Sequence, residues 1–165
     1  MNNMKYATIK YNDIVDGEGV CVSFWTQGCP FRCKGCHNES TWDFNGGIEV
    51  PSDIKGQIIK ALCANGIQRN FSVLGGEPLC PQNLELVHSL VTAVRIAYPH
   101  IKIFLWTGYT IEDIKKRADS SNQLREILNT VDIIIDGPFI QEQRDLTLEL
   151  RGSRNQRILH RGSDF

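Results

Sequence analysis

The sequence predicts an α/β fold built as an incomplete parallel β/α barrel. Three observations support this. Strand-like and helix-like stretches alternate along the chain. The strand-like stretches are near-continuous apolar runs, as expected of parallel strands covered by helices. The chain has 165 residues, whereas a full eight-fold barrel needs about 250, so only part of one can form. The length suits a single domain over residues 1–165.

The elements follow in order. "YATIKYN" reads as a first strand and "DIVDGEG" as a turn carrying Gly17 and Gly19. "VCVSFWTQ" is β-branched and aromatic, a strand running into a cysteine-rich loop. "PSDIKGQIIKALCANG" opens with Pro51 and Ser52, spaces Ile54, Ile58, Ile59 and Leu62 helically, and stops at Gly66. "FSVLGGEP" is a strand ending in a glycine turn, and "PQNLELVHSLVTAVRIAYP" an amphipathic helix. "IKIFLWTG" is a strand. "TIEDIKKRADSSNQLREILNT" is one helix or two broken at Ser120 and Ser121. "VDIIIDGPF" is a further strand, and "LRGSRNQRIL" a polar tail with a short closing strand. Ligands of parallel sheets gather at the carboxyl ends of strands. The loops "QGCPFRCKGC", "GGEP", "TGY" and "DGPF" each follow a strand, so they are expected on one rim as the active site.

A formal net charge of -1 gives no electrostatic reason to expect nucleic acid or a membrane surface as partner. No apolar run approaches the ~20 residues that span a bilayer, and "MNNMKYATIKYND" lacks a signal-peptide core. The expected location is the cytoplasm. There, crowded thiols are more often metal ligands than disulfides.

Cys29, Cys33 and Cys36 form a C-x3-C-x2-C pattern. With His37 they reach the count of a Cys3His zinc site, although adjacent Cys36 and His37 would both have to face one ion. Alternatively, they serve three corners of a [4Fe–4S] cluster and leave one iron open. Cys21 on a strand, Cys63 on a helix and Cys80 in a loop lack ligand spacing. Cys80 lies close enough to the "GGEP" turn to compete for the fourth corner.

Together these stretches resemble the radical S-adenosylmethionine (SAM) enzymes. Within that superfamily they resemble the activases of anaerobic (class III) ribonucleotide reductase. "DIVDGEGVCVSFWTQGCPFRCKGCHNESTWD" follows the activase pattern through the cysteine loop, and "LGGEP" matches the SAM-binding turn. "TGY", "DGPF" and "RGSRNQR" look like that family's later segments. The resemblance implies a partial barrel of the radical SAM type and a [4Fe–4S] cluster held by Cys29, Cys33 and Cys36. It also implies that SAM binds the open iron. Reductive cleavage of SAM would give methionine and a 5′-deoxyadenosyl radical that removes hydrogen from a glycine of the reductase's catalytic subunit. An electron donor such as flavodoxin or ferredoxin is implied as a second partner. Activases of other glycyl-radical enzymes share "CHN" and "TWD", so another target is an alternative, as is a zinc-stabilised binding module without catalysis.

On this resemblance Gly75, Gly76 and Glu77 border the methionine end of SAM. A bulky residue at Gly76 is then expected to block SAM and spare the cluster. Gly35, Cys36 and His37 lie along the adenine. Many radical SAM proteins carry an aromatic residue before the last cysteine, where this chain has Gly35. Thr107 and Asp136 either reach ribose or a partner peptide or cap strand ends. Arg151, Arg154 and Arg157 either meet the reductase or form a solvated basic segment.

Overall fold

The computed structural model describes residues 4–165. It contains one seven-stranded mixed sheet that does not close on itself among these residues, in the order β3-β1-β2-β4-β5-β6-β7. The strands are β1 (Lys5–Asp13), β2 (Cys21–Thr26), β3 (Ile48–Glu49), β4 (Asn70–Gly75), β5 (Ile103–Trp106), β6 (Ile133–Asp136) and β7 (Arg157–His160). The helices are α1 (Ile54–Leu62), α2 (Pro81–Ala97), α3 (Ile111–Ala118) and α4 (Asn122–Thr130).

The four central strands β2, β4, β5 and β6 are parallel. Their side chains are buried almost throughout, which is why they read as apolar runs. The flanks depart from the all-parallel expectation. β1 runs antiparallel to β2, β3 antiparallel to β1, and β7 antiparallel to β6. Neither the turn before β2 nor the chain between β6 and β7 contains an α-helix to cross over, so these strands return in the opposite sense.

Alternation along the central strands divides the molecule. Val22, Phe24, Phe71, Val73, Ile103, Leu105 and Ile134 face the four helices in one continuous core. The opposite face holds a smaller cluster of Phe104, Ile133 and Ile135, against which Trp106, Leu150 and Ile158 pack. The serine pair does break the long helical stretch in two. Thr110 caps α3 by accepting from the Asp113 amide, and Ser121 caps α4 by accepting from the Leu124 amide.

Candidate functional site

The four strand-end loops do meet on one rim. Cys29, Cys33 and Cys36 after β2, Gly75 to Glu77 after β4, Thr107 and Gly108 after β5 and Gly137 after β6 line one cleft of about 160 Å³. All three cysteines are free thiols.

The cysteine loop is held by the segment that follows it. The Gly28 amide donates to the Thr41 carbonyl (2.6 Å) and the Cys29 amide to that of Trp42 (3.2 Å). The Gln27 side-chain amide donates to the Ser40 and Asp43 carbonyls. The "STWD" stretch therefore acts as a strap under the loop, and Thr41 and Trp42 themselves line the cleft. The glycine turn is tied to the same loop. The Glu77 amide donates to the Gly28 carbonyl (2.8 Å), and buried Asn83 bridges the Gly28 and Glu77 carbonyls. Asn83, in "PQN", had no sequence signal beyond its place near the turn.

Glu77 differs in role from a charge offered to a ligand. It is 1% exposed, and its carboxyl accepts from the Leu79 amide, the Thr107 hydroxyl and the Gly108 amide at 2.7–2.8 Å. Burial pushes its pKa up to about 7 against these hydrogen bonds. Its side chain joins the ends of β4 and β5. Thr107 is thus engaged as a strand-end partner while still lining the cleft. Asp136 caps likewise: it accepts from the Ile111 amide and from Arg157. Arg157 also pairs with Glu112, Arg154 is exposed, and half-buried Arg151 lines a neighbouring cleft.

His37 is exposed and lines that neighbouring cleft rather than the cysteine cleft. Its ring lies 5.8 Å from that of Phe139. Gly35 lines neither. A Cβ there would stand 2.9 Å from the Gln141 side chain, so Gln141 occupies the place an aromatic residue would otherwise take. Phe139 and Trp106 line both clefts and are aromatic surfaces that motif reading did not single out.

The donor set fits a cluster better than a single zinc. Zinc needs its four ligands at about 2.0–2.3 Å from one point, and His37 is turned to the other cleft. Among the described residues no three His, Cys, Asp or Glu side chains converge on a position for one ion. A cube instead takes each thiolate at a separate corner. Cys80 does not line the cleft. It is fully buried at the start of α2, and its thiol donates to the Glu77 carbonyl at 3.2 Å. Cys21 is buried in β2, and Cys63 is exposed just past α1. Burial raises the pKa of Cys29 and Cys33. Thiolates in this cleft therefore need a positive partner, such as cluster iron.

Comparison with known proteins identifies the family. The model of a 4Fe-4S single cluster domain matches residues 15–159. The anaerobic ribonucleoside-triphosphate reductase-activating protein of Vibrio cholerae is 40% identical over 98% of both chains. The protein of the same name from Escherichia coli K12 is 34% identical over 97% of this chain and 99% of its own. That of enterobacteria phage T4 is 38% identical over 94% and 93% respectively. Matched over nearly its whole length at up to 40% identity, this chain belongs to the family of anaerobic ribonucleoside-triphosphate reductase-activating proteins.

Proposed function

We propose that the protein activates an anaerobic ribonucleotide reductase by cleaving SAM at a [4Fe–4S] cluster and installing a glycyl radical on the reductase's catalytic subunit. The observation that carries this reading is the meeting of Cys29, Cys33 and Cys36 with the Gly75–Glu77 turn in one cleft, while Cys80 is turned into the core. When bound, the cluster supplies the electron that splits the SAM sulfonium into methionine and a 5′-deoxyadenosyl radical.

The chain's own residues hold and enclose the reactants. Cys29, Cys33 and Cys36 would hold the cluster through their thiolates. The Asn38 amide donates to the Cys36 sulfur at 3.3 Å, a bond that favours thiolate charge and tunes cluster potential. Gly75 and Gly76 present backbone to the methionine end. Glu77 acts there through its main chain, since its carboxyl is engaged. Gly35, Cys36 and His37 belong to the adenine side, with Phe139 supplying the ring that Gly35 lacks. Leu74, Trp106 and Phe139 give an apolar wall that keeps water from a radical.

The second cleft shares that wall and adds Trp25, Leu150, Asp16 and Arg151. It is the place for the glycine-bearing segment of the reductase. In this reading the open sheet is an incomplete barrel of the radical SAM type over one domain, residues 1–165. The protein works in a reducing cytoplasm, with flavodoxin or ferredoxin as electron donor. No helix among the described residues is long and apolar enough to cross a membrane.

The test is electron paramagnetic resonance after anaerobic mixing of the reconstituted protein with the reductase, SAM and a reductant. A glycyl radical on the reductase is the expected signal. SAM cleavage without that signal would mean a different target. A colourless zinc protein, d¹⁰ and silent in the visible, would remove the cluster altogether.

A further inference from the structure

The segment between the cluster ligands has an outer side. Arg32, Lys34 and Gly35 are exposed, and Cys33 and Cys36 between them are half-buried. This stretch is therefore a thin wall between the cysteine cleft and solvent. Neither Arg32 nor Lys34 takes part in the ion pairs found among the described residues. Arg32 adopts a left-handed backbone (φ 49°) and holds its guanidinium 5.6 Å from the Trp42 ring.

A third cation reaches the same loop through stacked rings. Phe31 meets Tyr109 edge-on at 4.8 Å, and the Arg117 guanidinium lies 4.4 Å from the centre of the Tyr109 ring. One Arg117 nitrogen donates to the Leu79 carbonyl, while Nη1 is buried without a partner. Positive charge thus collects beside the ligand loop of a chain whose net charge is only -1.

We propose that this outer face, with exposed Arg32 and Lys34 and the partly buried Arg117 charge behind them, is the docking surface for an acidic electron-carrier protein. The inference rests on the cluster reading of the preceding section. The two clefts are needed for SAM and for the glycine-bearing segment, and both stay open when a carrier docks outside. The face also brings the carrier's redox group against the thin wall over Cys33 and Cys36. The step balances simply: the carrier loses one electron, the cluster gains one, and no bond or proton moves. Complementary charge would speed the encounter and fix its orientation.

The test compares reconstituted wild type with the double variant Arg32→Glu, Lys34→Glu, using an acidic flavodoxin as the probe. Binding is measured at low and high salt, and SAM cleavage is driven either by reduced flavodoxin or by dithionite. The variant is expected to bind flavodoxin on the order of tenfold more weakly at low salt. It should also lose most of the wild type's salt dependence. Dithionite-driven cleavage per iron should match in the two proteins. Unchanged flavodoxin affinity overturns the proposal. So does weakened binding to the reductase with flavodoxin binding intact, which would assign the face to the reductase. If the double variant retains less iron, Lys34→Glu alone is judged by the same binding criterion. Failure of dithionite to drive cleavage in the wild type strikes at the cluster reading and leaves the flavodoxin-binding comparison to decide the docking face.

Discussion

Gly76 lies so close to Gly28 that a Cβ on Gly76 would stand 2.4 Å from the Gly28 carbonyl oxygen. That oxygen belongs to the residue before Cys29 and accepts from the Glu77 amide. The space around Gly76 is thus closed by the cluster loop's own backbone, not reserved for methionine alone. The expectation that a bulky residue here blocks SAM and spares the cluster is therefore revised. Gly76→Ala should displace the Cys29 end of the loop, so iron content and SAM binding should fall together. Measuring iron beside SAM affinity decides it: a variant with full iron and only SAM binding lost would return Gly76 to a purely ligand-facing role.

The cysteines separate into two groups by where their sulfurs point. Alanine at Cys29, Cys33 or Cys36 should abolish SAM cleavage and destabilise the cluster. The triple variant Cys21→Ala, Cys63→Ala, Cys80→Ala should keep roughly four irons per chain. It should cleave SAM, at some cost in stability from emptied core volume at Cys21 and Cys80. Air should bleach the wild type and its activity together, because an open iron corner admits oxidants. Iron analysis and visible spectra before and after aeration check both statements. Loss of the cluster in Cys80→Ala alone would indicate a four-cysteine electron carrier.

The parallel core and the meeting of the cysteine loop with the other strand ends were legible in the sequence for physical reasons. β2, β4, β5 and β6 are buried on both faces and so are written as apolar runs, and C-x3-C-x2-C is short enough to wrap one cleft. Strand direction at the edges was not legible. β1 is largely exposed along its length and carries register irregularities, and β3 has only two residues. Side-chain direction was hidden for the same kind of reason. "GGEP" shows a turn and a carboxyl, but whether Glu77 faces a ligand or Thr107 depends on β5, thirty residues away. His37 follows Cys36 in sequence yet turns to the other cleft, and the ring over that region comes from Phe139.

Asp13 and Asp16 make opposite contributions to pH dependence. Burial, a hydrogen bond to Asp13 and the Asp13 charge raise Asp16 from 3.8 to about 7. Burial works against Asp13 too, but hydrogen bonds from Asp16, Ser23 and the Val15 and Asp16 amides bring it down to about 2. The folded state therefore keeps the Asp16 proton where the unfolded chain loses it, so that contribution declines as pH rises from 3.8 to about 7. The Asp13 contribution is present above 3.8 and lost as pH falls through about 2. Asp16→Asn can still donate to Asp13. It should flatten the decline between pH 3.8 and about 7 in denaturant titrations of the reduced, metal-free protein. An unchanged slope would place the titration elsewhere.

Asp136 is 1% exposed at the end of β6, and its carboxylate is shared between the Ile111 amide and Arg157 (Nε at 3.0 Å, the second nitrogen at 2.5 Å). Arg157 begins β7 directly opposite, so the ion pair fastens the antiparallel closing strand to the parallel core. Arg157 also reaches Glu112 at the start of α3, but both side chains are well exposed and that bond is screened. Removing the guanidinium leaves a buried carboxylate with one backbone partner. Arg157→Ala should therefore cost roughly 1–3 kcal/mol, the usual consequence of leaving a buried acceptor without its partner; the exposure of Arg157 itself keeps the cost below that of a fully buried pair. Glu112→Ala should cost under about 1 kcal/mol. Adding Asp136→Asn to Arg157→Ala should recover part of the loss, because the amide oxygen can still accept from Ile111 and no charge remains to be desolvated. Chemical denaturation of wild type, Arg157→Ala, Asp136→Asn and the double variant gives the cycle. Additive losses, with no recovery in the double variant, would mean that the pair does not hold β7 in place.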